Sequence, residues 1–260
     1  MRKFIYNIKK YYKYSVFSAK AELKSEVANS YLNWLWWILD PFLFMLLYTF
    51  ISKIVFSDNE QYFPIFVFIG LSCWNFFSKM IMCCIKLVSE SENIVTKTYI
   101  PKYILLLSKS FTLVFKSFIS FLLVIILMLF FNVPFTLHLL WFPLLYLVLY
   151  IFTFGICTIL MHFGIFVEDL FNIIDIILKF VFYLSGVFYS LENNVPAPFN
   201  IYLINLNPIA FLINQFRNIM MYNTMPDLVL LSIFFVIGII LCIIGIKLIE
   251  KYENTYARVI

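Results

Sequence analysis

The amino-acid sequence predicts an all-α integral membrane protein. It has six transmembrane helices, an N-terminal amphipathic interface helix and external re-entrant half-helices before the last span. Three observations carry this fold class. Of the 260 residues, 63% are hydrophobic and 13% charged, where a soluble globular chain is about 45–50% apolar and about 25% charged. The apolar residues fall in runs of about 20, the length that crosses a hydrocarbon core. With 6 Gly and 9 Pro the runs contain few breakers, so they read as helices rather than the short alternating strands of an outer-membrane barrel. A soluble enzyme, a disordered chain and a nucleic-acid-binding module are excluded. The net charge of +5 comes from cations at the ends of apolar runs, where membrane proteins place them.

The whole chain, 1–260, forms a single transmembrane domain. Residues 1–31 are the interface helix: Ile5, Ile8, Tyr12, Val16, Ala19, Leu23 and Val27 make one apolar stripe, with Lys9, Lys10, Lys13, Lys20 and Lys24 largely off it. Such a helix lies with its apolar side in the headgroup region. No cleavable signal peptide is expected, because about thirty basic and amphipathic residues precede the first full-length apolar run. Spans one to five occupy 32–191, as Leu32–Ile54, Phe63–Ile85, Phe111–Phe131, Leu139–Val167 and Ile173–Leu191. Asn132 to Pro134 is a tight turn between the third and fourth. The connection 90–109 is too long for a minimal turn; a helix ends before Pro101 and another begins there. The external segment 192–226 holds an apolar piece at Ile201–Leu206, then Asn207-Pro208, then Ile209–Met221. Two half-helices around an Asn-Pro break fit it, and such backbone is tolerated only where protein or a wet cavity covers it. The last span, Leu228–Leu248, and a tail fill 227–260.

Lysine placement sets the orientation. Seven cations precede the first span, Arg2, Lys3, Lys9, Lys10, Lys13, Lys20 and Lys24; Lys86, Lys97, Lys102 and Lys109 follow the second; Lys247, Lys251 and Arg258 lie in the tail. Loops of opposite parity hold Lys53 and Arg217 beside Asp58, Glu60, Glu192 and Asp227. Both termini are therefore expected in the cytosol, and the chain in a bacterial cytoplasmic (inner) membrane as a multi-pass protein.

Little catalytic chemistry is present. The six glycines never form a phosphate loop, so the chain is not expected to bind ATP in that manner. His138 and His162 would lie about 36 Å apart on a continuous helix and cannot share a metal. The five cysteines, Cys73, Cys83, Cys84, Cys157 and Cys242, have no metal-ligand spacing and read as small hydrophobes. Neither a metal nor a catalytic residue nor a cofactor of its own is expected. Asp40, just before Pro41, is expected to satisfy backbone freed by the proline, with a pathway role as the alternative. Asp175 and Lys179, four apart with the acid first, read as a helical ion pair. Lys79 and Lys116 can snorkel to the interface. Trp34, Trp36 and Trp37 crowd the start of the first span as an interfacial aromatic belt.

Five stretches are similar, in order, to the permease (transmembrane) subunit of polysaccharide-export ABC transporters, the family that exports O-antigen, capsule and teichoic-acid polymers. Asn29–Phe50, NSYLNWLWWILDPFLFMLLYTF, resembles N-S-x-L-G-x-L-W-x-x-L-x-P, with Asn33 for Gly and Asp40 for Asn. Phe63–Ser78 resembles G-L-x-P-W-x-F-F-S, with Cys73 for Pro. Thr96–Lys109, TKTYIPKYILLLSK, is close to K-x-Y-x-P-R-x-x-L-P-L-S, with Lys102 for Arg and Leu106 for Pro. Asn207-Pro208 followed by Phe216-Arg217 is similar to the family's N-P…F-R, and Tyr252–Ile260 to its F-x-x-x-F-A-D-V-I ending. Glu168-Asp169 stands where the family often has Arg-Asp.

The resemblance implies a homodimer of this subunit with two copies of a separate ABC ATPase subunit that binds the ATP. It implies that Lys97, Tyr99, Pro101, Lys102 and Tyr103 belong to the region that couples to the ATPase, with the N-terminal helix as a second contact. Asn207, Pro208, Phe216 and Arg217 would mark a re-entrant exit. The substrate would be a lipid-linked polysaccharide carried outward; the other partner is membrane lipid, and nucleic acid is not one. A drug or small-lipid efflux permease of the same class is the alternative. A membrane-embedded lipid or sugar transferase is a further one, for which convergent acids, arginines or histidines are missing. A purely structural membrane subunit leaves the patterned cytosolic loop unexplained.

Overall fold

The computed structural model describes residues 2–28, 33–54, 62–92 and 100–259. Among them every regular element is helical: α1 (Arg2–Ala28), α2 (Asn33–Ile54), α3 (Phe63–Glu90), α4 (Lys102–Phe130), α5 (Phe142–Phe166), α6 (Leu170–Leu184), α7 (Leu191–Asn194), α8 (Phe199–Leu206), α9 (Pro208–Arg217) and α10 (Leu228–Val259). A 3-10 turn, Leu137–Trp141, leads into α5, and a π-helical turn, Asn218–Tyr222, follows α9.

Helix α3 is the axis of the bundle. In its most apolar window 78% of residues are buried, against 17% for α2, so α3 is the core and α2 a flank. Pro64 occupies its first turn, where the missing N–H costs nothing. Around α3 pack α4, α5, α2, α6 and α9. The most extensive helix pairing is α5 with α10. There a Cβ on Gly155 would meet the Gly238 carbonyl oxygen at 2.9 Å, and one on Gly238 the Phe152 backbone at 3.0 Å. Small residues thus let two apolar helices touch backbone to backbone, the usual substitute for a hydrophobic driving force between helices in lipid.

Among the described residues, five helices are long and apolar enough to cross a membrane: α2, α3, α4, α5 with its 3-10 lead-in, and α10. The expected fifth span departs from its predicted bounds. It is helical over Leu170–Leu184 only, about 22 Å, and is broken at Gly186, whose φ of 62° is the left-handed conformation glycine adopts freely. Residues 185–190 continue as irregular chain that climbs beside α3, and Val187 reaches Gly70.

Two other expectations need correction. The third span does not begin at Phe111: α4 starts at Lys102, so most of the 90–109 connection's second half is helix. The reason lies in α1, which covers the first turns of α4 and pairs with it through Glu22 and Lys109. The tight turn after α4 is as expected, with Asn132 at φ 54° and Val133 N–H donating to the Met128 carbonyl at 2.9 Å. For α1 itself, the side packed on the protein runs through Asn7, Ser15 and Ala19, all buried. That is largely an edge of the predicted apolar stripe rather than its centre, and Tyr12 on the stripe stays 54% exposed.

Candidate functional site

At one end of the bundle the chain folds into a helical hairpin. Pro196 and cis-Pro198 precede α8, and Asn207 separates α8 from α9. Asn207 Oδ1 accepts from the Ile209 and Ala210 N–H groups at 3.1 and 3.3 Å, an N-cap with Pro208 at the first helical position. The same side chain donates through Nδ2 to Ser185 Oγ at 2.9 Å, tying the hairpin tip to the end of α6. Residues 206–209 line an apolar cavity with Phe77, Ile156 and Val181. Phe77 is fourteen residues into α3 from Phe63, so the tip reaches about 20 Å along that helix. Helix α9 then returns, and Phe216 packs on Phe121 with ring centroids 5.2 Å apart.

Arg217 ends that return. It is 3% exposed, and its guanidinium donates to three backbone carbonyls: Phe66 on α3, at 3.3 Å from Nε and 3.2 Å from Nη2, Gly186 at 2.9 Å and Val187 at 2.9 Å. It also lies over the Phe66 ring, 3.3 Å from the centroid. A planar fork can serve several acceptors at once, and here it joins α9, α3 and the turn after α6. Gly70 makes room for it, since a Cβ there would come within 2.9 Å of Nη2. The structure therefore brings Asn207, Pro208, Phe216 and Arg217 into one hairpin around α3.

At the opposite end α1, α4, α5 and α10 converge. Lys97 and Tyr99, predicted as coupling residues, lie outside the described residues. Pro101 is the N-cap of α4 and is buried with Ile100. Tyr103, expected to present its ring to a partner, is instead 2% exposed. It accepts a hydrogen bond from Asn7 Nδ2 at 2.6 Å and packs on Phe4 with centroids 5.2 Å apart. Its apolar ring and polar tip are already matched by α1, which is why it does not reach the surface. Lys102 is 3% exposed and within electrostatic reach of Glu253 on α10. His162 on α5 meets the Tyr256 hydroxyl at 2.7 Å; burial pushes that phenol above its ordinary range, so it stays neutral. Further along, Lys116 bonds Glu26 at 2.7 Å, and Thr112 donates to Glu22 at 3.0 Å. Sequence periodicity pointed to α1 as an anchor; this polar seam to α4 was invisible to it, although the Glu22/Glu26 and Lys109/Lys116 spacings carry the signal.

Between the two ends, a cavity of about 370 Å³ lies among α2, α3 and α6. Asp40, expected to bond the backbone near Pro41, makes a different contact. It stands 3.8 Å from Lys79 on α3 and faces this cavity. The Asp175–Lys179 pair forms as expected, at 2.7 Å, and lines the same space beside Tyr48, Trp74 and Phe182. Trp34 and Trp36 are exposed, at 49% and 55%, while Trp37 lies under Lys116, 5.1 Å from the ring centroid.

Comparison with known proteins agrees with this architecture. The chain is 25% identical over 256 residues to an "O-antigen export system permease protein RfbA" of Klebsiella pneumoniae, covering 98% of both chains. It is 26% identical over 237 residues to a protein of the same name from Myxococcus xanthus, covering 91% of both. A second Klebsiella pneumoniae protein of that name is 27% identical over 262 residues, again covering 98% of both. The sequence model of ABC-2 type transporters matches residues 17–221, and with that match over most of its length the chain belongs to the ABC-2 type transporter family.

Proposed function

We propose that this chain is the transmembrane subunit of an ABC exporter that moves a lipid-linked polysaccharide, such as an O-antigen, capsule or teichoic-acid-like polymer, outward across the bacterial cytoplasmic membrane. Two copies form the pathway, and two separate ATPase subunits bind and hydrolyse ATP. The observation that carries the reading is the full-length match to O-antigen export permeases. The helical hairpin with its tip deep beside α3 supports it, because irregular backbone inside a bundle suits the wall of a polar pathway. The exposed apolar faces of α2 (Leu43, Phe44, Leu47) and α6 (Ile173, Ile176, Phe180) offer surface for a second copy. The buried Tyr103 shifts the coupling role toward α1: a push on α1 from a cytosolic partner reaches α4 through Asn7, Glu22 and Glu26. Both termini are cytosolic in this reading, with α6 and residues 185–190 together making the sixth crossing.

Deleting the gene tests the function. The expected result is loss of surface polymer with lipid-linked polymer accumulating inside, restored by the wild-type gene. Normal surface polymer together with new drug sensitivity would replace this reading by small-molecule efflux. Cysteines at Lys9 and Asn194 test the topology: labelling of both from the same side would overturn it.

A further inference from the structure

Where α9 ends, a pocket of about 270 Å³ opens between the hairpin, α7 and the first turns of α3. One wall is the π-helical turn. Asn218 begins that turn and Tyr222 ends it, and both line the pocket. Such turns are rare and often sit at functional sites. Asn223 follows at φ 54°, and the Thr224 N–H donates to the Asn218 carbonyl at 3.0 Å, which folds Thr224 back onto the same wall. The Thr136 hydroxyl donates to Asn223 Oδ1 at 2.7 Å and fastens the turn to the lead-in of α5. The wall is therefore preset rather than shaped by what enters it.

Its polar groups mix acceptors with groups that both give and accept. Asn214 donates through Nδ2 to Glu192 Oε1 at 2.9 Å, the one orientation a carboxylate allows, since it only accepts. Asn214 Oδ1 and Glu192 Oε2 are left as acceptors. The Asn218 side-chain amide, on a half-buried residue, and the Thr224 hydroxyl, on an exposed one, bond no other described residue, and each can donate and accept. Neighbouring sugar hydroxyls, every one a donor and an acceptor, match such a set. Tyr222, 40% exposed, adds a ring on which a C–H face can rest. The volume falls just under the about 300–1,000 Å³ of drug-sized sites and suits one ring rather than a chain. Charge narrows the class further. Glu192 is exposed and is the one acid among the described lining residues. Arg217 is the one cation there, but it is 3% exposed and its N–H groups go to the Phe66, Gly186 and Val187 carbonyls. An incoming anion would meet the carboxylate without reaching the guanidinium.

We infer that this pocket holds one uncharged pyranose unit, its adjacent hydroxyls on Glu192, Asn214, Asn218 and Thr224. The sugar class follows from the pocket's own residues; that the sugar is a unit of the outgoing polymer rests on the export reading. Under that reading the pocket suits a polymer built of neutral hexoses and disfavours polyol-phosphate and uronate units.

The test uses the full chain with its ATPase subunit in lipid nanodiscs, and saturation-transfer NMR. Methyl mannoside, methyl galactoside, methyl glucuronide and glycerol phosphate are offered separately. At least one of the neutral hexosides is expected to bind, and the two anions more weakly. Asn218→Ala and the isosteric Thr224→Val should each weaken hexoside binding about fivefold, the scale of one neutral hydrogen bond. Neither side chain has a bond to lose, so both variants should melt as the wild type does. Glu192→Gln should narrow the gap between hexoside and glucuronide, which a mere change of shape would not do. Binding of neither hexoside, a preference for glucuronide or glycerol phosphate, wild-type binding by both Asn218→Ala and Thr224→Val, or an unchanged gap in Glu192→Gln would each overturn the assignment. The source of the sugar is read in cells: p-benzoylphenylalanine replacing Tyr222 should photo-cross-link to polymer. Hexoside binding without that cross-link would give the pocket to a free sugar and overturn the polymer assignment. Failure of the export reading shows separately, as surface polymer that persists after gene deletion whatever the hexosides do.

Discussion

Helices α10 and α6 are both strongly apolar, yet they are held in opposite ways. Along α10, Gly238 and Gly245 bring the backbone against α5, where a Cβ on Gly245 would land on the Thr158 side chain. Along α6, Leu178 alone is buried, while Ile173, Ile176, Ile177, Phe180 and Tyr183 face outward. The difference shows what apolar composition leaves unsaid. In lipid, hydrophobicity puts a helix in the bilayer but does not choose its neighbour; small residues and buried hydrogen bonds do that.

Substitutions can break or sharpen this contrast. The largest effect is expected from Gly155→Leu. Its side chain has nowhere to go between Gly238 and Leu241, and overpacking should cost about 3 kcal/mol. Detergent-extracted protein should then show little monodisperse peak in fluorescence-detected size exclusion; a wild-type profile would mean that the α5–α10 contact is loose. Arg217→Lys comes next. An ammonium cannot serve the Phe66, Gly186 and Val187 carbonyls together, and the loss should be about 2 kcal/mol, read as a lowered melting temperature. An unchanged melting curve would show that the guanidinium does not hold the hairpin. Least affected should be Ile176→Ala on α6, within about 0.5 kcal/mol for the single subunit. If that variant instead lowers the dimer fraction at equal protomer stability, a second copy covers this face.

The sequence carried the elements whose signals are local. The apolar runs gave α2 to α5 and α10, and the Asn207-Pro208 pair gave the cap and start of α9 because both residues act within one turn. The early end of α6 at Gly186 had no such local pattern around it; the fold shows the reason, since a Cβ there would collide with Leu191 at 2.6 Å. The first turns of α4 were hidden for a different reason. Lys102 and Lys109 look like loop residues until Glu253 and Glu22, far along the chain, neutralise their surroundings. Arg217 likewise read as an external cation from its loop parity, and only the folded backbone shows the carbonyls that enclose it. The family resemblance located the same motifs but not these partners.

The Arg217 and Asn207 contacts also decide how α6 can swing. Its outer edge is fastened at Leu184, Ser185, Gly186 and Val187, and Phe182 is wedged against Trp74 at 5.1 Å. Its other edge is latched by Lys86 over the Phe171 ring, 3.7 Å from the centroid. Contacts so distributed would make any tilt of α6 pivot at its upper end. A tilt of about ten degrees over its about 22 Å length would carry the lower edge about 4 Å, widening the Asp40–Asp175 cavity from below while the hairpin stays still. Cysteines replacing Trp74 and Phe182, bridged by a bifunctional thiol reagent about as long as the side chains removed, should therefore leave transport running, whereas the same bridge between cysteines replacing Lys86 and Phe171 should arrest it; arrest by the first pair alone would put the hinge at the wrong edge.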